Sequence, residues 1–211
     1  NSGLFIIAEH FQPIRMNLFG VKGARIEDIK AVQSLNVALG QCRRFIADRS
    51  LRTISSVDTA GLARAIADCG DKSVGAIASR LAGEINGLAL LAENIEDASH
   101  NTTRFLVMDR QQRLPPSDAG KVKTTFVFRV RNVPAALYKA MGGFATNGIN
   151  MTKLESYMVD GSFTATQFYS DIDGHPDDLS VQLAFEEIGF FTDHFQVLGV
   201  YPKAPKQGAV G

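Results

Sequence analysis

Neither sign of charge predominates in this chain: 22 Lys and Arg stand against 22 Asp and Glu in 211 residues. A net charge of zero excludes the basic field by which proteins hold nucleic acid or an anionic membrane, so an anionic ligand has to be met by local groups. Cysteine is scarce. Cys42 and Cys69 are the two present, each inside a helix-like apolar pattern, which suits buried reduced thiols better than a disulfide framework or a metal site and points to the cytoplasm. No apolar run approaches the roughly 20 residues that span a bilayer, and no charged start precedes a short apolar core as in a signal peptide. His10, His100, His175 and His194 lack metal-ligand spacing, and no glycine-rich phosphate loop follows a strand. What remains is a soluble globular composition, 45% hydrophobic and 21% charged, of a length for two domains, with no sign of a metal or organic cofactor.

The apolar run at residues 4–8 predicts a buried strand, and residues 11–19, with Gln12, Arg15 and Asn17 interspersed, a half-exposed one. After the break at residues 20–23, a short strand is expected at 29–32. Ala38, Leu39, Cys42, Phe45 and Ile46 then recur at helical spacing as far as Asp48. A strand at 52–54 and a helix through Leu62 and Ile66, capped by Ser56 or Asp58 and stopping near Gly70, follow. Strands at 74–78, 88–92 and 105–108, with a helix over 80–85 closed at Gly87, complete an alternation that implies a mainly parallel sheet covered on both faces. Residues 111–120, rich in Gln, Pro, Ser and Gly, read as a linker. Beyond it come a strand at 125–130, a helix opened by Pro134, two strands around the tight turn Asp160-Gly161, a helix capped by Asp177 or Asp178, and a last strand at 195–200. That order is βαββαβ, a ferredoxin-like unit, with a frayed tail from residue 202. One helical layer on such a sheet leaves an apolar face, to which Phe126, Phe128, Phe163 and Phe168 would contribute, and edges for a second copy to cover.

Polar chemistry meets a strand at Asn101-Thr102-Thr103-Arg104-Phe105. A hydroxyl beside a guanidinium supplies a hydrogen bond for a leaving oxygen and a fixed cation for a carboxylate, although an isolated Thr-Arg pair reads first as a plain strand start with a solvated Arg. Ser34 and Ser79 lie just past the carboxyl end of a strand and before a helix, where backbone N–H groups favour an anion. Taken alone, Ser34 and Thr59 read first as helix N-caps. An open α/β sheet places its ligands outside the carboxyl ends of its strands, so these hydroxyls with Arg104 would make a cradle for an anion.

Asn101-Thr102-Thr103-Arg104-Phe105 after Asn94-Ile95-Glu96-Asp97 resembles the Thr-Arg-Phe signature of prephenate dehydratases. Ser34 with Ala38-Leu39-Gly40-Gln41-Cys42 is similar to that family's Ser-His-Pro-x-Ala-Leu-x-Gln-Cys stretch, with Leu35 and Asn36 in place of His and Pro. Thr59-Ala60 and Ala76-Ile77-Ala78-Ser79 are similar to its Ser-Thr-Ala and Ala-Ile-Ala-Ser elements. In the second half, residues 132–138 resemble the Pro-Gly-Ala-Leu element of ACT regulatory domains, with Ala135 for Gly. Residues 149–156 resemble the phenylalanine-binding element of the same domains, with Tyr157-Met158 for Arg-Pro.

The resemblance implies an α/β fold: periplasmic-binding-protein-like catalytic lobes, represented by residues 1–110 with the first lobe missing ahead of Asn1, a linker at 111–120, and a ferredoxin-like ACT domain at 121–203. It implies decarboxylative dehydration of prephenate to phenylpyruvate, driven by aromatisation and needing no cofactor. Thr103 would donate a hydrogen bond to the departing hydroxyl, Arg104 would hold substrate charge, and Ser34, Thr59, Ser79 and Phe105 would contact substrate, a dicarboxylate. Glu96 and His100, near Thr103 in sequence, read as loop side chains. Phenylalanine would bind as effector at Ala135, Ala136, Leu137, Asn147, Asn150, Glu155 and Ser156, in a homodimer or homotetramer. The rival reading is a non-catalytic α/β ligand-binding lobe fused to an amino-acid-sensing ACT domain.

Overall fold

Strand β1 (Phe5–Pro13) runs beyond the apolar stretch that announces it, because Glu9 and Phe11 continue the alternation past residue 8. The structure, a computed structural model, describes residues 3–56, 60–98, 101–117, 119–131, 133–158 and 165–205. The chain divides into two units, and it passes from one to the other after Phe11 and again after Thr103. The division therefore falls earlier than the linker expected at 111–120. Strand pairing is the reason: β1 and β7 (Thr102–Asp109) join the sheet built by the later residues.

The unit Gln12–Thr103 contains β2 (Asn17–Gly20), β3 (Ala31–Leu35), α1 (Asn36–Gln41), α2 (Arg43–Asp48), β4 (Arg52–Ser56), α3 (Ala60–Cys69), β5 (Val74–Ala78), α4 (Arg80–Ile85) and β6 (Ala89–Ala92). Its sheet has the order β4-β3-β5-β2-β6. β3 is parallel to β4 and β5, but β2 is antiparallel to β5 and β6, so the sheet is mixed rather than mainly parallel. β2 lies between β5 and β6 in the sheet and runs against both. All four residues of β2 are buried. Its alternation serves two cores: Leu18 joins Val32, Leu39, Cys42, Ile46 and Ile77 under α1 and α2, while Phe19 joins Leu62, Ile66 and Ala76 under α3. Gly83 lets α4 approach, since a Cβ there would come within 2.2 Å of the Phe19 ring.

The single helix expected through Asp48 is broken at Cys42 (φ −121°, ψ 28°). Asp97 explains the break: its carboxylate accepts from Arg43 N and Arg44 N, each at 3.0 Å, and so caps α2 from a distant segment. Cys42 is buried as expected and its thiol is pushed up to about 12 by burial, then by the neighbouring Asp97 and Glu96 charges. Cys69, at the end of α3, is exposed. Helical spacing puts it on the face of Leu62 and Ile66, but it is the last residue of the helix, beyond the reach of that core.

In the other unit, β8 (Val122–Val130), α5 (Ala136–Thr146), β9 (Met151–Met158), β10 (Ala165–Asp173), α6 (Leu179–Gly189) and β11 (Thr192–Pro202) form the expected βαββαβ arrangement. The sheet order is β7-β1-β11-β8-β10-β9, with β1 parallel to β11 and the last four strands antiparallel. The even positions of β8 face α5 and α6. Phe126 is fully buried, with ring centroids of Phe144, Phe185 and Phe195 at 5.7, 5.4 and 5.3 Å. Asp178 occupies the N-cap position of α6, but its carboxylate accepts from His175 N at 2.8 Å instead of from the first turn. His175 Nε2 lies 3.0 Å from Pro115 O, which ties the linker down. The turn at Asp160-Gly161 and the tail from residue 206 lie outside the described residues. Among the described residues no helix is long and apolar enough to cross a membrane.

Candidate functional site

The carboxyl ends of β3 and β5 open on a cavity of about 360 Å³ within the unit Gln12–Thr103. Its floor and walls come from Ser34, Leu35, Ile77, Ala78 and Ser79, from α1 and α3 through Ala38 and Leu62, and from the segment between β1 and β2 that carries Ile14, Arg15 and Met16. Ligands of open α/β sheets bind at this end of the strands. The wall is largely apolar, and Leu35 stands where the resemblance expects histidine.

Ser34 was expected to meet an anion at a helix start. It instead sits inside β3, 3% exposed, and its Oγ donates to Ile77 O on β5 at 2.6 Å. The hydroxyl therefore ties two strands together and has no proton left for a ligand. Ser79 is the N-cap of α4: its Oγ accepts from Ala82 N at 3.3 Å, which leaves the O–H to donate outward from an exposed position. Thr59 lies outside the described residues.

Arg15 and Glu96 gave no clear sequence signal, yet they fix the wall. Glu96 is buried, with 2% of its side chain exposed, and accepts from Arg15 Nη1 at 2.8 Å and Met16 N at 2.9 Å. Burial opposes its ionisation, but these two donors outweigh that and hold its carboxyl below the usual range. Glu96 lies in the loop between β6 and β7, as expected of a loop side chain, and what its sequence neighbours did not show is this pairing. His100 lies outside the described residues. Ile14 N donates to Asn101 O at 2.8 Å, which sets the start of β7 beside the segment bearing Arg15. A second cavity, of about 460 Å³, lies among Gln41, Glu96, Asp97, Asn101 and Thr102.

Thr103 and Phe105 are exposed on one face of β7, Phe105 at 53%, but neither lines the first cavity. Arg104 is not the free cation that was expected. Its Nη1 is bonded to Asp171, its Nη2 donates to Tyr201 Oη at 2.7 Å, and its Nε lies 2.8 Å from Glu9 Oε2. Alternation along the strand is the physical reason: it puts a hydroxyl and a guanidinium adjacent in sequence on opposite faces.

The residues expected to hold an amino-acid effector line neither cavity. Ala135 adopts a left-handed conformation before α5, Ala136 is buried, and Leu137 packs against the phenylalanine core. Asn147 Nδ2 donates to Gly143 O at 2.8 Å, while Asn150 Nδ2 donates to Asp173 at 3.0 Å. On β9, Glu155 pairs with Tyr169 and Ser156 with Phe168, so the two face opposite sides of the sheet. Glu155 is held below the usual carboxylate range by Tyr157 and then Lys153. Among the described residues no cluster of His, Cys, Asp and Glu has the arrangement of a metal site.

The sequence profile described as "Prephenate dehydratase" matches residues 1–113. A "Bifunctional N-acyl-homoserine lactone acylase/prephenate dehydratase" of Komagataeibacter europaeus is 47% identical over 205 residues, 97% of this chain and 73% of that protein. "Arogenate dehydratase/prephenate dehydratase 1, chloroplastic" of Arabidopsis thaliana is 37% identical over 94% of this chain, which spans only 54% of that relative. A solved prephenate dehydratase of Arthrobacter aurescens, in complex with L-Phe, superposes with a TM-score of 0.84 at 31% identity, over 98% of this chain and 69% of the other.

Proposed function

This chain belongs to the prephenate dehydratase family, a family of lyases, and from that premise we propose that the whole protein converts prephenate to phenylpyruvate, with phenylalanine as its effector. The observation that carries the reading is Thr103, an exposed hydroxyl on β7 inside the stretch that the family profile covers. A threonine hydroxyl is far too weak an acid for full proton transfer, so its role is a hydrogen bond to the departing hydroxyl, strongest as negative charge develops there. Aromatisation supplies the driving force. Thr103 does not line the apolar cavity at the ends of β3 and β5, so in this reading that cavity takes the carboxylate side of the substrate, poorly solvated by its apolar wall, and Thr103 meets the hydroxyl side. Ser79 is the available donor to the second carboxylate. In this reading the βαββαβ unit is an ACT domain, and an effector bound there acts by favouring one of two conformations.

The test is phenylpyruvate formation from prephenate by the full-length protein and its Thr103→Ala variant. A hydroxyl acting mainly in the transition state predicts a loss of kcat of roughly 10² to 10⁴-fold with little change in KM. Absence of turnover by the intact protein would favour the non-catalytic ligand-binding reading.

A second reading takes support from the acylase named for the Komagataeibacter relative. The cavity wall of Ile14, Met16, Leu35, Leu62 and Ile77 suits an acyl chain. Release of free fatty acid from an N-acyl-homoserine lactone, followed by mass spectrometry, decides it.

A further inference from the structure

Thr103 and Arg104 are neighbours in sequence and opposites in environment. Thr103 is exposed, whereas Arg104 keeps only 18% of its side chain exposed and meets oxygens on three other strands: Glu9 on β1, Asp171 on β10 and Tyr201 on β11. The acceptors are themselves held. Thr125 Oγ1 on β8 donates to Asp171 Oδ1 at 2.6 Å and lies 2.6 Å from Tyr201 Oη. Each hydroxyl has one proton, so the direction is fixed: Arg104 Nη2 donates to Tyr201, Tyr201 to Thr125, Thr125 to Asp171, and Arg104 Nη1 closes the ring on the same carboxylate. Glu9 completes the charge balance, accepting from Lys123 Nζ at 3.0 Å and from Ala204 N at 3.1 Å. Glu9, Thr125, Asp171 and Tyr201 are all buried, Asp171 and Tyr201 fully. A buried, closed ring of charge-assisted bonds has one geometry and resists rotation of any member.

We propose that Arg104 is a positioning residue: it fixes β7 through this ring so that Thr103, on the opposite face of the same strand, is presented to the substrate at a set angle, and it does not itself hold a substrate carboxylate. The inference rests on the role of Thr103 given above. It reassigns the cation of the Thr-Arg-Phe stretch from ligand to anchor, which leaves substrate charge to other groups.

The experiment compares Arg104→Lys, Asp171→Asn and Tyr201→Phe in the full-length protein, by kcat, KM for prephenate, and amide hydrogen exchange over residues 102–106. Tyr201→Phe removes one oxygen and keeps the side-chain shape, so it remains informative where Asp171→Asn fails to fold. The expected result is that all three lower kcat, roughly 10- to 100-fold for a misplaced group, hold KM within about threefold, and speed exchange at Thr103 and Arg104. A substrate ligand behaves otherwise. If Arg104→Lys raises KM tenfold or more while Tyr201→Phe and Asp171→Asn match the parent protein, the anchor role is wrong. If the parent protein makes no phenylpyruvate, the proposed reaction fails by itself, and unchanged exchange in Tyr201→Phe and Arg104→Lys would then overturn the anchor as well.

Discussion

Ala135 holds φ 61° and ψ 18°, a left-handed conformation that costs a residue with a Cβ about 1–2 kcal/mol. Glycine takes it freely at some loss of chain entropy, so Ala135→Gly is expected to stabilise the protein by about 0.5–1 kcal/mol and raise Tm by about 2 °C. Ala145→Gly, in the last turn of α5, should instead lower it. Differential scanning fluorimetry of the pair checks the sign. Glu96 gives a pH test. Its folded pKa lies below the usual value, so its contribution is full above the unfolded pKa of about 4.3 and is lost as pH falls through the folded value. Glu96→Gln should therefore lower Tm near pH 7 and flatten the fall in Tm below about pH 4, as thermal melts from pH 7 to 3 will show. Neither residue's environment was visible from its neighbours in sequence. The partners of Glu96 are Arg15 and Met16, about eighty positions away, and those of Arg104 lie on β1, β10 and β11. What local order did carry was the strand through Thr103, which the structure places on β7 with Thr103 exposed. The period of two within that same run already separated Thr103 from Arg104.

Gly199 shows what an element demands of a single residue. It stands opposite Ile6 where β1 pairs with β11, and a Cβ there would fall 2.0 Å from Ile6 O, which is backbone and does not rotate away. Gly199→Ala is expected to drive β1 from β11, at a cost of about 1–3 kcal/mol, and to expose the amides of residues 5–8 to exchange. Normal protection of those amides would show that the pairing adapts. The same scale explains which elements could be read beforehand. The helices α3, α5 and α6 carry apolar residues at helical spacing over ten residues or more. The failures share one cause, a distant partner. Asp97 splits what reads as one helix at Cys42, and the direction of β2 is set by its place between β5 and β6, which its neighbours in sequence do not carry.

At the scale of the whole molecule the question is what covers the sheet edges. The phenylalanines expected to offer an interface do not: Phe126 and Phe128 are fully buried and Phe168 is 5% exposed, all under α5 and α6, while Phe163 lies outside the described residues. Exposed apolar side chains lie instead along both edge strands of that sheet, Phe105, Val107 and Met108 on β7 at 53%, 45% and 48% and Leu154, Tyr157 and Met158 on β9 at 42%, 48% and 65%; of the two edges, β9 belongs to the βαββαβ unit. An eight-residue edge strand with such side chains is a template for pairing with another chain. A second copy is therefore expected to add to it, and multi-angle light scattering at micromolar concentration should give at least a dimer. Met158→Lys, a charge on the edge, should shift the protein toward monomer. The proposed effector site then has a physical requirement. Glu155 is exposed on the edge strand β9, where an added copy would lie against it, so the second copy is expected to complete the site. Calorimetry should find L-phenylalanine binding to the dimer, weakened by Glu155→Ala and lost in step with dimerisation in Met158→Lys. Binding of equal strength by a monomeric Met158→Lys protein would place the effector within one copy instead. By linkage, whatever factor phenylalanine applies to substrate affinity, the substrate applies to phenylalanine affinity, so titrating each in the presence of the other should return one coupling constant.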